Sequence, residues 1–254
     1  MTINLITWNG AKFIPALFNS LRNQTFKNWE LIIIDNRSTD GTVEAIKTFS
    51  PSLWRRGEGW CESANLKFFQ NSTNLGFAAA HNRAFALSDS EYFLVLNQDI
   101  VLAPDCLEKL VDFLDKNLEA AVVAPALYKP VILNCHSERS EESLSGRQID
   151  SLGLKIWRSR RVTEITELKS DDNAFEVFGV SCAVAMFRRP AATEALIDGE
   201  LFDSSFFSYQ EDIDLAWRLR RLGFKAFCLP SATATHARTA AGNGVGDLAA
   251  AKNK

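Results

Sequence analysis

The feature that most constrains the fold of this chain is a regular alternation of short apolar segments with amphipathic segments over its first half. Buried strands are predicted at 3–7, 30–35, 66–70, 92–96 and 121–124. Helices are predicted at 11–24, 42–49 and 78–87, with a further helix opened by Pro104. Strands and helices that alternate through short connections form parallel sheets covered by helices on both faces. We therefore predict an α/β fold built around a mostly parallel sheet.

Polar residues follow three of these predicted strands. Trp8, Asn9 and Gly10 follow the first strand, residues 35–41 follow the second, and 97–99 end the run YFLVLNQD. In parallel sheets, ligands bind beyond the carboxyl ends of the strands, so these loops converge on one edge. A carboxylate and an amide two residues apart at a strand end offer oxygen ligands to a hard cation. The sequence thus predicts a metal and phosphate site at that edge.

The second half of the chain departs from the alternation. Residues 175–189 predict either a pair of strands or one long strand, and 211–222 predict a helix. A final strand is predicted at 225–228. His236 follows in a segment without periodicity, which predicts an irregular tail.

Two segments interrupt the pattern, at 50–64 and at 134–147. Both are rich in Ser, Arg, Glu or Gly, lack periodicity, and are longer than usual connections. We expect both to be surface insertions that the chemistry does not need. The remaining segments predict a single domain spanning residues 1–254.

Composition excludes several classes of protein. The net charge is -3 and basic residues are scattered apart from Arg158, Arg160 and Arg161, so nucleic acid is not an expected partner. Five cysteines without a C-x-x-C pair predict reduced thiols rather than disulfides or a zinc site. The chain has no basic, apolar leader and no apolar stretch of about 20 residues. We expect a cytoplasmic protein without a transmembrane segment, free or peripheral at the inner face of the cell membrane.

Seven blocks of sequence occur in the order found in family 2 glycosyltransferases. They are ITWNGAKFI, IIIDNRSTDGT, NLGFAAAHNRA, LVLNQDIVLAPDCLEKL, VFGVSCAVAMFRR, LFDSSFFSYQEDIDLAWRLRRLGFKA and the late His236. Over roughly residues 3–238 the chain resembles this family, and within it the rhamnosyltransferase-like branch that builds bacterial surface polysaccharides. The resemblance implies a GT-A fold with a Rossmann-like sheet and a smaller acceptor-side subregion. Residues 1–125 would bind the nucleotide sugar, and 126–254 would supply the acceptor side and the catalytic base.

The resemblance also implies a set of donor-binding residues. Thr7, Trp8 and Asn9 would line the nucleoside pocket, although Trp8 is equally compatible with core packing. Asp35 would accept hydrogen bonds from the nucleoside, or alternatively cap its own loop. Gly76, preceded by Asn74, allows close backbone approach by a diphosphate, and a simple turn at the start of a helix explains it equally well. Asn97 would contact the donor ribose, and Gly179 would lie near the donor sugar and acceptor.

Two further pairs carry the chemistry that the resemblance implies. Asp99 would bind Mg or Mn between the donor phosphates, and His236 would complete this site or serve a structural role. Asn97 stands where the first Asp of the usual D-x-D stands. Asp212 would be the catalytic base, with Glu211 as the second candidate, because direct displacement with inversion needs one carboxylate to take the acceptor proton.

The predicted function is an inverting, metal-dependent glycosyltransferase. It would move a sugar from a UDP or dTDP donor to a glycan or lipid-linked acceptor. Two alternatives stay open at this stage. A sugar-phosphate nucleotidyltransferase also uses a nucleotide-binding α/β sheet, but it needs a glycine-rich loop after the first strand, where this chain has only Gly10. A catalytically silent nucleotide-sugar-binding protein would fit the two insertions and the short segment after His236.

Overall fold

The structure is a computed structural model that describes residues 1–49, 60–63, 66–130, 148–168 and 173–238. Six α-helices lie in these ranges: α1 (Ile14–Arg22), α2 (Thr42–Phe49), α3 (Gly76–Ala86), α4 (Cys106–Lys116), α5 (Arg189–Glu194) and α6 (Glu211–Arg221). The strands of the first half are β1 (Thr2–Thr7), β2 (Glu30–Asp35), β3 (Trp60–Ser63), β4 (Leu66–Gln70), β5 (Tyr92–Asn97), β6 (Ile100–Leu102) and β7 (Ala120–Tyr128). Those of the second half are β8 (Ile149–Ser151), β9 (Leu154–Ile156), β10 (Val162–Glu164), β11 (Phe175–Val177), β12 (Val184–Arg188) and β13 (Lys225–His236).

One mixed sheet organises the described part of the chain, in the order β11-β13-β7-β12-β5-β1-β2-β4-β3, with β6 on β13 and β8 on β7. Its centre, β5-β1-β2-β4, is parallel, as is the pair β7 and β13. The other pairs within this sheet are antiparallel. The predicted mostly parallel core is therefore confirmed, with antiparallel strands added by the second half.

Helices cover both faces of this sheet. Alternate residues of a strand point to opposite faces, and in β5 Leu94 and Leu96 join the cluster that contains α1, α2 and α4. Phe93 and Val95 join the cluster that contains α3, α5 and α6. Because the central strands are buried on both faces, their sequences are continuous apolar runs. No helix in the described ranges is both long and apolar enough to cross a bilayer.

The prediction of an irregular tail around His236 is wrong. β13 does not end at 228 but runs for 12 residues to His236, pairing with β7 along most of its length. Its last three residues also pair with β6, so that His236 lies opposite Ile100. Pro230 and the register shift between Leu229 and Thr233 hide this continuation from a reading of local periodicity.

Of the two predicted insertions, 134–147 lies outside the described residues, as does most of 50–64. The described part of 50–64 forms β3, which pairs antiparallel with β4 at the edge of the sheet. The segment 175–189 forms two separate strands, β11 and β12, rather than one long strand. β12 pairs with β5 and with β7, and thereby joins the two halves of the chain in one sheet.

The loop before α6 is held against α3. The carbonyl oxygen of Phe207 accepts the amide hydrogens of Phe77 at 2.6 Å and Ala78 at 3.3 Å, in the first turn of α3. Further along α3, the Asn82 side chain donates to the carbonyl of Phe202 at 2.7 Å and accepts its amide at 2.9 Å. These contacts fix the position at which α6 begins.

Gly76 is required by this contact. Its φ is +81°, and a Cβ atom there would lie 2.4 Å from the Phe207 carbonyl oxygen. Gly199 has a similar φ of +83° but has no atom within 4 Å of the corresponding Cβ position. The two glycines thus share a backbone conformation and differ in the space around them.

We predict that Gly76→Ala destabilises the protein more than Gly199→Ala. A positive φ costs an alanine about 1 kcal/mol at either site, whereas the clash at Gly76 raises the total to about 3 kcal/mol. Urea denaturation of both variants measures the difference directly. Equal losses would show that the Phe207 loop moves away from α3 at little cost.

Candidate active site

The carboxyl ends of the central strands form one edge of the sheet, which we call the carboxyl edge: Thr7, Asp35, Gln70 and Asn97. Asp35 lies at its centre and is fully buried. Its carboxylate accepts hydrogen bonds from Thr7 Oγ1 (2.9 Å), Ser38 N (2.9 Å), Ser38 Oγ (2.5 Å) and Gln70 Nε2 (3.0 Å). These donors occupy both carboxylate oxygens, so Asp35 first of all fixes the loop after β2. The predicted contact of Asp35 with a nucleoside stays a prediction.

Trp8 and Asn9 lie on the exposed side of this edge. Gln98 holds the backbone of Trp8 at both ends, accepting its amide and donating to its carbonyl, each at 2.9 Å. Gly10 makes room for Gln98, since a Cβ atom there would lie 2.2 Å from Oε1. Asn9 accepts the amide of Thr39 at 2.8 Å. Trp8 is 37% exposed, so it is not a core residue and its ring is available to a ligand.

Asn74 and Gly76 belong to the start of α3. Asn74 Oδ1 accepts the amide of Gly76 at 2.9 Å, and the next two amides donate to the loop before α6. The amides that could have held a diphosphate therefore already have protein acceptors. Phe207, rather than a ligand, makes the close approach to Gly76. Of the two sequence interpretations, this geometry favours the turn at the start of a helix.

Asp99 and His236 face each other at the end of β5. Asp99 Oδ1 lies 3.5 Å from His236 Nε2, and both residues are more than nine-tenths buried. The pairing of β6 with β13 creates this contact, and Ala237 N also donates to the Asp99 carbonyl at 3.0 Å. Asn97, two residues before Asp99, is partly exposed at the same edge. The structure thus brings the two predicted metal ligands together.

The other side of His236 contacts residues that the sequence did not single out. His236 Nδ1 lies 2.9 Å from Asp150 Oδ2, and Arg238 Nε contacts both oxygens of Asp150 at 2.6 and 2.8 Å. Arg238 also pairs with Glu164 at 3.5 Å. Burial alone would lower the pKa of His236, but Asp150 and Asp99 raise it to about 9. Arg238 is the one member of this network that lies near His236 in the sequence, so it was the only one that the sequence around His236 could have suggested.

This geometry fits a divalent cation that is completed by a substrate. Among the described residues, no group of three or more His, Cys, Asp and Glu side chains is placed to hold an ion. The donors at hand are one carboxylate oxygen of Asp99 and one imidazole nitrogen of His236. Mg²⁺ is usually held by one or two carboxylates together with substrate phosphates and water, and imidazole suits the neighbouring transition metals. Asp150 would orient the histidine for this role, as a carboxylate does behind many metal-bound imidazoles.

The first turn of α6 carries the predicted base pair, Glu211 and Asp212. Glu211 is 6% exposed, and its Oε2 has no hydrogen-bond partner among the described residues. Burial, reinforced by the charge of Asp212, raises the pKa of Glu211 to about 7. Burial also raises the pKa of Asp212, although its Oδ1 accepts the amide of Ile213 at 2.8 Å. Asp212 is the more exposed of the two and is the better placed to reach a ligand.

Gly179 lies against α6. A Cβ atom at this position would lie 2.4 Å from the Cβ of Ala216, so only glycine allows this approach. The Gly179 carbonyl accepts the amide of Leu154 at 2.8 Å. Gly179 and Asp212 border one largely apolar hollow together with Cys182. The structure therefore places Gly179 beside the predicted base, and its contact with a sugar stays a prediction.

Comparison with known proteins identifies what this chain is similar to. The family model for glycosyl transferase family 2 matches residues 2–194. An N-acetylglucosaminyl-diphospho-decaprenol L-rhamnosyltransferase of Mycobacterium tuberculosis is 24% identical over 91% of this chain and 74% of its own length. The putative glycosyltransferase EpsE of Bacillus subtilis is 31% identical, over 47% of this chain and 40% of its own.

A solved structure shows the same fold. The mannosyltransferase PcManGT from Pyrobaculum calidifontis, in complex with GDP-Man and Mn²⁺, has a TM-score of 0.63 at 17% identity. The match covers 95% of this chain and 57% of the mannosyltransferase chain. The predicted GT-A fold is confirmed. This chain spans less than half the length of EpsE and little more than half of PcManGT.

The buried Glu211 predicts a pH dependence of stability. Its pKa is raised from 4.5 to about 7 on folding, so the protonated form favours the folded state below about pH 4.5 and this contribution is lost as the pH rises to about 7. Over that interval the stability of the wild type relative to Glu211→Gln should fall by roughly 3 kcal/mol. Urea denaturation across the interval measures it, with the exposed Glu194→Gln as the matched control. Parallel curves for wild type and Glu211→Gln would contradict the prediction.

Proposed function

Because the chain belongs to glycosyl transferase family 2, we propose that it moves a sugar from a UDP or dTDP donor to a glycan or lipid-linked acceptor, with inversion. The observation that carries this proposal is the facing pair of Asp99 and His236 at the carboxyl edge, 3.5 Å apart. The similarity to a rhamnosyltransferase that acts on a decaprenol-linked sugar supports a role in cell-surface polysaccharide synthesis. The family match gives no support to the nucleotidyltransferase alternative.

The donor would bind across the carboxyl edge. Trp8 and Asn9 would form the exposed wall of the donor pocket. Thr7 and Asp35 lie beneath them and are joined by a hydrogen bond. Asn97 lies at the exposed end of β5, where it can reach the ribose. In this arrangement Asp35 shapes the nucleoside pocket, and the side chains above it make the contacts.

Asp99 and His236 would hold Mg or Mn together with the donor diphosphate. The cation would supply Lewis-acid stabilisation of the charge on the departing nucleotide diphosphate. Both side chains are buried, and Asp150 also contacts the Nδ1 side of His236, which would limit the movement of the cation. The neutral imidazole form needed for binding at Nε2 keeps its Nδ1 hydrogen, which Asp150 can accept at 2.9 Å.

Asp212 would take the proton from the acceptor hydroxyl as this oxygen attacks the sugar. Two adjacent carboxyl groups in a buried setting do not readily ionise together. Glu211, more deeply buried and with an unpartnered oxygen, is the one expected to keep its proton. Asp212 then carries the charge at the site that the acceptor can reach. Gly179 allows α6 to approach closely and borders the same hollow as Asp212.

We predict that UDP or dTDP raises the melting temperature only when Mn²⁺ is present. A ligand that binds the folded state alone stabilises it by mass action, and the cation links the diphosphate to Asp99 and His236. Thermal shifts with UDP, dTDP, GDP and CDP, each with and without Mn²⁺, test this and identify the nucleobase that the protein prefers. No response to any nucleotide would contradict the proposal, and a response without turnover would favour the silent nucleotide-sugar-binding protein.

The same thermal-shift measurement on substituted proteins tests which residues bind the cation. Asp99→Asn should abolish the Mn²⁺-dependent shift, since it removes the carboxylate ligand. Asp150→Asn should weaken the apparent Mn²⁺ affinity by about 10- to 100-fold without abolishing it. The exposed Asp89→Asn has the same change of charge away from the site and should leave the shift unchanged. A normal shift in Asp99→Asn would place the cation elsewhere.

We predict that Asp212→Asn retains the nucleotide-dependent shift and loses turnover by about 10²- to 10⁴-fold, the usual contribution of a general base. Release of the nucleotide diphosphate from the sugar donor measures turnover. Glu211→Gln should keep more activity than Asp212→Asn, because the glutamine retains the uncharged state expected for Glu211. The reverse order of activities would transfer the role of base to Glu211.

A further inference from the structure

The hairpin of β9 and β10 presents a basic tip that the proposed chemistry does not use. Lys155, Arg158, Arg160 and Arg161 lie within seven residues, and no acidic residue occurs between 155 and 163. All four are exposed. This concentration of positive charge stands out in a chain whose net charge is -3.

The arginines of the tip lack the partners that other arginines of this chain have. Arg218 pairs with Asp214 and Arg220 pairs with Glu176, both within 3 Å. By contrast, none of the three tip guanidinium groups has an ion-pair or hydrogen-bond partner among the described residues. Their charge is therefore available to a partner outside the domain.

The backbone of the tip places Arg160 in a conformation that glycine adopts more easily. The amide of Trp157 donates to the carbonyl of Arg161, and the amide of Arg160 donates to the carbonyl of Trp157. This closes a three-residue loop in which Arg160 has a φ of +63°. Such loops favour glycine at this left-handed position. The arginine is present at a cost to stability of about 1 kcal/mol.

Trp157 adds an aromatic ring to the same tip. It is 49% exposed, its indole nitrogen donates to Thr163 Oγ1 at 3.0 Å, and the Lys155 ammonium lies 4.0 Å from the ring centroid. The ring is thus oriented while half of it faces solvent. A tryptophan beside several cations suits the interface of an anionic bilayer, where its apolar body and polar edge are both satisfied.

We propose that the β9–β10 tip docks the protein on an anionic membrane surface. The inference rests on the proposed function, because a lipid-linked acceptor is presented at such a surface. The base of the hairpin packs on α6: Leu154 forms a cluster with Ala216, and Ile156 and Ile213 pack against that cluster. Docking through the tip would hold the helix that carries Asp212 at a fixed position relative to the lipid headgroups.

The test is flotation of the full chain with vesicles of phosphatidylcholine alone or mixed with phosphatidylglycerol, without nucleotide. We expect binding only to the mixed vesicles, and loss of binding at high salt, because exposed charges are screened within about 10 Å at 0.1 M salt. Equal binding to neutral vesicles, or no binding to either, would overturn the proposal. So would displacement from the vesicles by millimolar pyrophosphate, which would make the tip a site for a soluble diphosphate.

Variants separate docking from folding and from overall charge. Arg158→Gln with Arg161→Gln should weaken partition into mixed vesicles by about 30-fold, and Arg160→Gly by about fivefold. Arg160→Gly should melt at the same or a higher temperature than the wild type, which rules out misfolding as the cause. Lys27→Gln with Lys116→Gln removes the same charge elsewhere and should bind normally. Equal losses in this control would assign binding to net charge and overturn a role for the tip.

The same samples distinguish this proposal from the proposed function. The tip variants should keep the thermal shift with nucleotide and Mn²⁺, which is measured without vesicles. Vesicle binding without any nucleotide response would remove the proposed function and leave a membrane-docking domain. A nucleotide response without vesicle binding would leave the glycosyltransferase assignment intact and remove docking.

Discussion

The parallel register of the four central strands is the constraint on which the site depends. Buried strands must satisfy every backbone amide and carbonyl through their neighbours, so β4, β2, β1 and β5 can pair in only a narrow range of registers. In the register observed, Thr7 lies opposite Asp35, and Asp35 lies opposite Gln70. The hydrogen bonds on the Asp35 carboxylate follow directly from these pairings. A shift of one residue would turn these side chains to the other face of the sheet.

The second half of the chain adds residues to the carboxyl edge through an antiparallel strand. β6 and β13 run antiparallel and bring His236, 137 positions later in sequence, beside Asp99. α6 lies near this edge because the loop before it is hydrogen-bonded to the start of α3. The residues of the second half are therefore positioned by contacts with the strands and helix of the first half, an arrangement that would place the proposed cation site and base on one sheet.

Local patterns predicted the elements that are long and buried, and missed those that depend on distant partners. β2, β4 and α2 have the predicted bounds, because burial on one or both faces leaves a clear periodicity. β8 to β11 have three residues each, too few for any period. Asp150 and Glu164 lie on two of these short strands, so local periodicity did not indicate these two partners of the network around His236. The end of β13 was missed because its partners, β6 and β7, lie more than 100 residues earlier.

The distribution of charge at the edge supports the proposed cation site. Asp99 and Asp150 lie on the two sides of His236, and Arg238 joins Asp150 to Glu164, whose carboxyl group also experiences the charge of Asp212. Arg238 is already committed to Asp150 and Glu164. A sugar nucleotide bound as proposed would add a diphosphate to this acidic region, and burial would make the repulsion stronger than it is in water. A divalent ion held by Asp99 and His236 would convert that repulsion into attraction. Burial, together with the charge of the adjacent Asp212, raises the pKa of Glu211 to about 7, so Asp212 is the carboxylate that we propose accepts the proton.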